Sequence, residues 1–284
     1  MAPAALNRGE AVSDATFYKM SGSGNDFVML DGRQTTPADW PADRIRAVCD
    51  RRDGVGADGL VILTPEVPGT VRMTFWNCDG SPANLCGNAA LCSTRLASHL
   101  KMVSPAGMTL ATGAGPFPTR CVGEGDLAEL NLPDFDLPAE VPGMPLAPGE
   151  LWIRKAVVGV EHLVTRVADL EGFDLPARGR EQRFHPAIAP KGANANFVAE
   201  PAAPGGPWRI RTYERGVEGE TLACGTGTVA AAVALAARGE GELPMTFASR
   251  SGRQLLVRAR IEGGRAVDVW LRGEARLVFQ GTLA

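Results

Sequence analysis

Residues 72–100 read RMTFWNCDGSPANLCGNAALCSTRLASHL, and residues 209–237 read RIRTYERGVEGETLACGTGTVAAAVALAA. Each stretch opens with a strand-like run, Arg72–Asn77 in one and Arg209–Glu214 in the other. Each then crosses a polar turn to a cysteine–glycine pair, Cys86-Gly87 or Cys224-Gly225, set directly before an Ala- and Leu-rich segment. Those side chains lose little freedom in a helix, so helices are expected over Asn88–Leu100 and Thr226–Ala237. A second echo precedes the first: Gly22-Ser-Gly-Asn-Asp-Phe-Val28 resembles Gly192-Ala-Asn-Ala-Asn-Phe-Val198. Two echoes in the same order predict a duplicated chain, with two similar α/β domains and a cleft between them.

Working outward, short β-branched or apolar runs bounded by Gly, Pro or Asp predict further strands. They fall at Thr16–Lys19, Phe27–Asp31, Gly59–Leu63, Ala128–Leu132, Trp152–Val157, Leu163–Val167, Asn196–Ala199, Leu255–Ile261, Ala266–Leu271 and Ala275–Gln280. A third helix is expected over Pro41–Asp50, which has proline at its start. The Pro-rich segment Pro133–Pro148 reads as a boundary or a long crossover.

The 284 residues are 45% hydrophobic and 21% charged, enough for a substantial core and against wholesale disorder. A net charge of -3 argues against a nucleic-acid groove or a polybasic membrane surface. No apolar run reaches a membrane span; the longest helix-like one, Val229–Ala237, stops at Arg238-Gly239. The leader MAPAALNRGEAVSDATF has no basic start followed by an apolar block, so a cytoplasmic location is expected. None of the six cysteines forms a Cys-x-x-Cys pair, and no metal site is expected. Cys78 and Cys92 read as packing residues.

The two Cys-Gly turns carry the chemistry. A helix amino terminus offers unpaired N–H groups and partial positive charge, which favour a thiolate and can cradle a carboxylate. Two such turns converging on one cleft suit inversion at carbon: one group removes a proton from one face while the other delivers a proton to the opposite face. A substrate carboxylate held at both helix ends would be stabilised as its α-carbon gains negative charge.

Several motifs resemble the diaminopimelate epimerase family. They are Phe17-Tyr-Lys-Met-Ser-Gly-Ser-Gly-Asn-Asp-Phe27, Gly54-Val-Gly-Ala-Asp-Gly59, Asn77-Cys-Asp-Gly-Ser81 with Cys86-Gly-Asn88, and Tyr213-Glu-Arg-Gly216 with Glu220-Thr-Leu-Ala-Cys-Gly-Thr-Gly227. The resemblance implies a cofactor-independent epimerase interconverting LL- and meso-diaminopimelate in lysine and peptidoglycan precursor synthesis. It implies an α+β fold of two pseudo-symmetric domains, each a curved, mostly antiparallel sheet around a central helix. Residues 1–130 with 270–284 would form the half holding Cys86, and residues 131–269 the half holding Cys224. On the same grounds Cys86 and Cys224 are the catalytic pair. Gly87 with Asn88 and Gly225 with Thr226 hold the reacting carboxylate. Asn25, Asn77, Asn194, Glu214 and Arg215 contact substrate, and His162 supports one cysteine. The expected partner is a small amino acid, with no nucleic acid or membrane and with homodimer formation left open.

The chain also departs from that family's pattern. Gly159-Val-Glu-His162 stands where Gly-Asn-Pro-His is usual, Ala89 replaces a glycine, Leu91 replaces an arginine, and the Gly216–Thr221 turn is one residue longer. Two rival readings follow: a racemase of another amino acid, histidine- or proline-like, on the same fold, and a thiol redox or metal-binding protein using Cys78, Cys86 and Cys92.

Overall fold

The computed structural model describes residues 15–283, so most of the leader lies outside the described residues. The first half runs β1 (Thr16–Gly22), β2 (Asn25–Asp31), α1 (Ala42–Cys49), β3 (Gly59–Pro65), β4 (Thr70–Asn77), β5 (Pro82–Ala83), α2 (Gly87–His99), β6 (Met108–Thr112), β7 (Gly115–Val122), β8 (Leu127–Leu132) and β9 (Phe135–Asp136). The second runs β10 (Glu150–Val158), β11 (Val160–Val167), α3 (Leu175–Arg183), β12 (Asn194–Ala199), β13 (Trp208–Glu214), β14 (Gly219–Thr221), α4 (Gly225–Ala237), β15 (Met245–Ala248), β16 (Gln254–Glu262) and β17 (Arg265–Glu274). A last strand, β18 (Arg276–Thr282), returns to pair antiparallel with β1.

The duplication is visible in the hydrogen bonding. In the first half β1–β2, β3–β4, β4–β5, β6–β7 and β7–β8 pair antiparallel, while β2–β3 and β4–β6 pair parallel. The second half repeats the series: β10–β11, β12–β13, β13–β14, β15–β16 and β16–β17 are antiparallel, β11–β12 and β13–β15 parallel. The halves join where β8 pairs antiparallel with β17. Glu129 of β8, buried at that seam, accepts from Arg120 of β7 and Arg272 of β17.

These pairings correct one sequence expectation. Gly22–Val28 spans the β1–β2 hairpin, but Gly192–Val198 leads into β12, whose counterpart is β3. The two segments look alike because each sets a glycine turn before an apolar strand that buries a phenylalanine, Phe27 or Phe197. The other echo is a true equivalence, since β4 leads to α2 as β13 leads to α4.

Each half wraps its sheet around one helix. α4 is apolar on every side, and such a helix is stable only when enclosed. Val229, Val233 and Leu235 are fully buried, each worth about 1.5–3 kcal/mol over exposure. The helix stops at Arg238, followed by Gly239 in the left-handed region (φ +71°) that ends helices. α2 carries Ser93 and Thr94 inside the core, where their hydroxyls donate to the carbonyls of Ala89 and Ala90. Ala89 and Leu91, two departures from the family pattern, are fully buried in this core rather than in the cleft. The longer turn is absorbed in the β13–β14 hairpin, with Gly216 (φ +93°) and Glu218 (φ +55°) at left-handed positions.

Candidate active site

Cys86 and Cys224 occupy the same place in the two halves. Each is the residue before the first turn of its helix, with extended backbone at φ -131° and -124°. The first residues bonded back to the cysteine carbonyls are Ala90 and Thr228. The amides before them therefore have no acceptor inside the helices. The two turns meet: a Cβ on Gly225 would lie 4.0 Å from the Gly87 Cα and 2.6 Å from Leu271 Cδ2. Two helix amino termini thus approach through glycines, so both sets of amides can address one small anion.

The sulfurs sit in a buried, acidic setting. Burial pushes the Cys86 thiol up to about 11, with the Glu214 charge adding to it and the Ala89 and Asn88 amides opposing. Cys224 is pushed up further by burial and by Glu214, against the Gly227 amide and the Thr226 hydroxyl. Burial likewise raises the Glu214 carboxyl, with the Thr221 hydroxyl working against it. Glu214 therefore acts on both sulfurs. As the last residue of β13 it is the counterpart of Asn77, the last residue of β4.

A ladder of polar groups reaches this centre from the surface. Arg51 bonds Asp26 and Asp58 at 2.7 Å each, and Asn25 Nδ2 donates to Asp58 at 2.9 Å. Asn88 Nδ2 donates to Asn25 Oδ1 at 2.7 Å and to the Ala223 carbonyl, beside Cys224, at 3.5 Å. Both ends of the Asn25 amide are thus engaged in holding Asn88. Asn88 Oδ1 is buried with no protein partner, an acceptor suited to a ligand ammonium.

On the other side, Asn194 Oδ1 accepts from the Arg215 amide at 2.8 Å. His162 is fully buried in β11; the Asn196 amide sits 3.3 Å from its Nδ1, and the Val158 backbone opposes the effect of burial on the ring. Asn196 also donates to the Leu163 carbonyl and accepts from Thr212, which fixes its orientation. A Cβ on Gly227 would lie 2.0 Å from Asn196 Oδ1 and 3.2 Å from Cys224 Sγ, so Asn196 links His162 to the Cys224 turn. Sequence reading gave Asn196 no role, although it stands two residues from Asn194 on the same strand face. Asn77 is exposed and donates to Ser81, while Asn194 is buried beside Arg215. Cys78 is exposed too, which corrects its reading as a packing residue: it lies in the Asn77–Ser81 turn, outside the core that encloses Cys92. Among the described residues no group of three or more His, Cys, Asp or Glu side chains is arranged to hold a metal. No helix among them is long and apolar enough to cross a membrane.

Two expected results follow from this geometry. Gly227→Ala should cost about 1–3 kcal/mol, because Asn196 is pinned on three sides and cannot yield. Gly107, where a Cβ would meet open space, is the control: its Ala variant should stay within about 0.5 kcal/mol of wild type in urea unfolding. His162 governs the acid limb. Burial pushes its imidazole from 6.5 down to about 3, the Arg215 charge acting in the same direction. The unfolded chain therefore binds a proton that the folded one refuses between these values. Stability from this site is complete above about 6.5 and falls by about 1.4 kcal/mol per pH unit below it. Urea titrations at pH 7 and pH 5 should show a steeper loss in wild type than in His162→Asn; equal slopes would refute it.

The chain is an isomerase of the racemase and epimerase class, with a duplicated sheet-and-helix fold and a cysteine at each facing helix end. Solved structures with this fold include a phenazine biosynthesis protein of the PhzF family from Enterococcus faecalis (TM-score 0.68, 14% identity, covering 95% of this chain and 99% of that one). Another is a probable proline racemase from Agrobacterium radiobacter (TM-score 0.66, 17% identity, covering 95% and 93%). The diaminopimelate epimerase family model matches residues 17–131 and 155–278, and the chain belongs to that family. A diaminopimelate epimerase of Gemmatimonas aurantiaca is 44% identical over 282 residues, 95% of this chain and 99% of its own length. One from Chlorobaculum tepidum is 35% identical over 275 residues, covering 93% and 99%.

Proposed function

We propose that the protein inverts one α-carbon of LL-diaminopimelate to give the meso form, serving lysine and peptidoglycan precursor synthesis in the cytoplasm. The observation that carries this reading is the meeting of Gly87 and Gly225, which brings two equivalent Cys-led helix ends together. The substrate α-carboxylate would lie between the two sets of helix amides. The thiolate of one cysteine takes the α-proton, and the electron pair left on carbon is stabilised through the carboxylate. The thiol of the other cysteine then delivers its own proton to the opposite face. The thiolate has become a thiol and the thiol a thiolate, so the pair is set for the reverse reaction. Acid and base both come from the chain, so this chemistry calls for no further cofactor.

Burial favours the neutral thiol at both sites, and the substrate ammonium offsets the Glu214 charge that disfavours ionisation. Asn88 Oδ1 is placed to accept from that ammonium, with Asn25 holding it. Arg215, with Asn194 beneath it, suits a second carboxylate, which favours diaminopimelate over an amino acid with one head group. The same reading divides the chain into 1–130 with 270–284 and 131–269; the return of β18 to β1 supports assigning the end of the chain to the first half. The direct test is to incubate the purified protein with LL-diaminopimelate, without added cofactor, and to follow conversion to the meso isomer. Turnover of a single-headed amino acid in preference to diaminopimelate would overturn the assignment.

A further inference from the structure

β11 begins after a tight turn at Gly159 (φ +72°), and its second residue, Glu161, immediately precedes His162. Glu161 Oε2 lies 3.5 Å from Arg215 Nη1, with the two side chains 23% and 28% exposed. Among the described residues the Arg215 guanidinium has no other partner, and Glu161 Oε1 has none. The corresponding carboxylate in the first half, Asp26 as second residue of β2, is used up inside the protein. It pairs with Lys19 and Arg51 and accepts from the Asp58 amide. Glu161 keeps spare acceptor capacity, and its neighbour Val160 offers no polar side chain.

A full positive and a full negative charge side by side, each with unused hydrogen-bonding capacity, complement a zwitterion. A bare carboxylate placed there would gain Arg215 and be repelled by Glu161. Glu214 is poorly suited to a distant ammonium, since it is half-buried and its charge acts on both sulfurs. We propose that Glu161 binds the ammonium of the far amino-acid head group while Arg215 holds its carboxylate, so that this pair selects a substrate zwitterionic at both ends. This rests on the function proposed above and adds a specificity residue to it.

The test compares LL-diaminopimelate with 2-aminopimelate, which keeps the far carboxylate and lacks the far ammonium, as alternative substrate or competitive inhibitor. Glu161→Gln should lower kcat/KM for diaminopimelate on the order of 10- to 100-fold, mainly through KM. Binding of 2-aminopimelate should be unchanged or tighter, and Glu161→Asp should recover part of the loss. Equal losses for both compounds would mean that Glu161 only orients Arg215, and no loss for diaminopimelate would mean a solvated pair; either result overturns the assignment. If wild type turns over diaminopimelate, such a result removes Glu161 alone. If wild type does not, the proposed function fails and this inference with it.

Discussion

Replacing Cys86 or Cys224 with alanine should abolish inversion, with a loss on the order of 10³-fold or more in kcat/KM. Each variant loses the acid or base on one face, and removing one positioned proton-transfer group typically costs 10²–10⁴-fold. The helix amides and glycines remain, so binding should survive and the loss should appear in kcat. Isotope exchange gives the sharper readout. In heavy water, product formed early by wild type should carry solvent deuterium while recovered substrate carries little, because the delivering thiol has exchanged with solvent. Each single variant should still exchange the α-proton of the enantiomer that its remaining cysteine faces, and the two variants should prefer opposite enantiomers. Near-normal inversion by either variant, or product retaining its original hydrogen, would falsify the two-thiol mechanism.

Arg215→Ala should produce the next largest effect. Truncating one member of a charge-assisted contact that the bound substrate would cover costs on the order of 2–5 kcal/mol, or roughly 30- to 5000-fold in kcat/KM for diaminopimelate. The variant leaves Glu161 without its partner. A compound with only a carboxylate at the far end should therefore be hurt more than the zwitterion, because it meets Glu161 uncompensated. An α-amino acid with no far head group should bind almost as before. Equal losses for all three classes would make Arg215 a scaffold residue and reopen the single-headed racemases.

Much of the fold could be read from the chain because most strands carry β-branched runs between turn residues, and because Ala-rich helices follow both cysteines. Other elements were hidden for identifiable reasons. β7 contains Pro116 and Pro118, which argue against a strand; they face only β6, because β8 pairs with β7 from Thr119 onward. α3 has no apolar period and contains Gly179, where a Cβ would come within 2.5 Å of Tyr213 Cβ, so close packing overrides propensity. The cysteines, glycines and Arg215 stand in motifs, and the structure gathers them with Glu214, Asn88 and Asn194. Asn196 and Arg51 act by contacts to distant residues that no local spacing announces, and Asp58, though inside the Gly54–Gly59 motif, has its role set by Asn25 and Arg51. Glu161 appeared only as a departure from a pattern, and its meaning depends on the strand pairing that carries it toward Arg215.

The close approach of Gly87 and Gly225 also bears on stereochemistry. A duplicated chain can relate its two halves only by rotation, never by reflection. A flattened α-carbon bearing a carboxylate has a matching half-turn about the bond that joins them. That rotation exchanges the two faces of the carbon and the two oxygens of the carboxylate, so like residues can serve both. It also exchanges the ammonium with the rest of the substrate, which are chemically unlike. Repetition is therefore useful along the axis and harmful away from it. The chain follows this division: Cys86 matches Cys224 and Gly87 matches Gly225, whereas Asn77 faces a counterpart in Glu214, and Asn25 one in Val160.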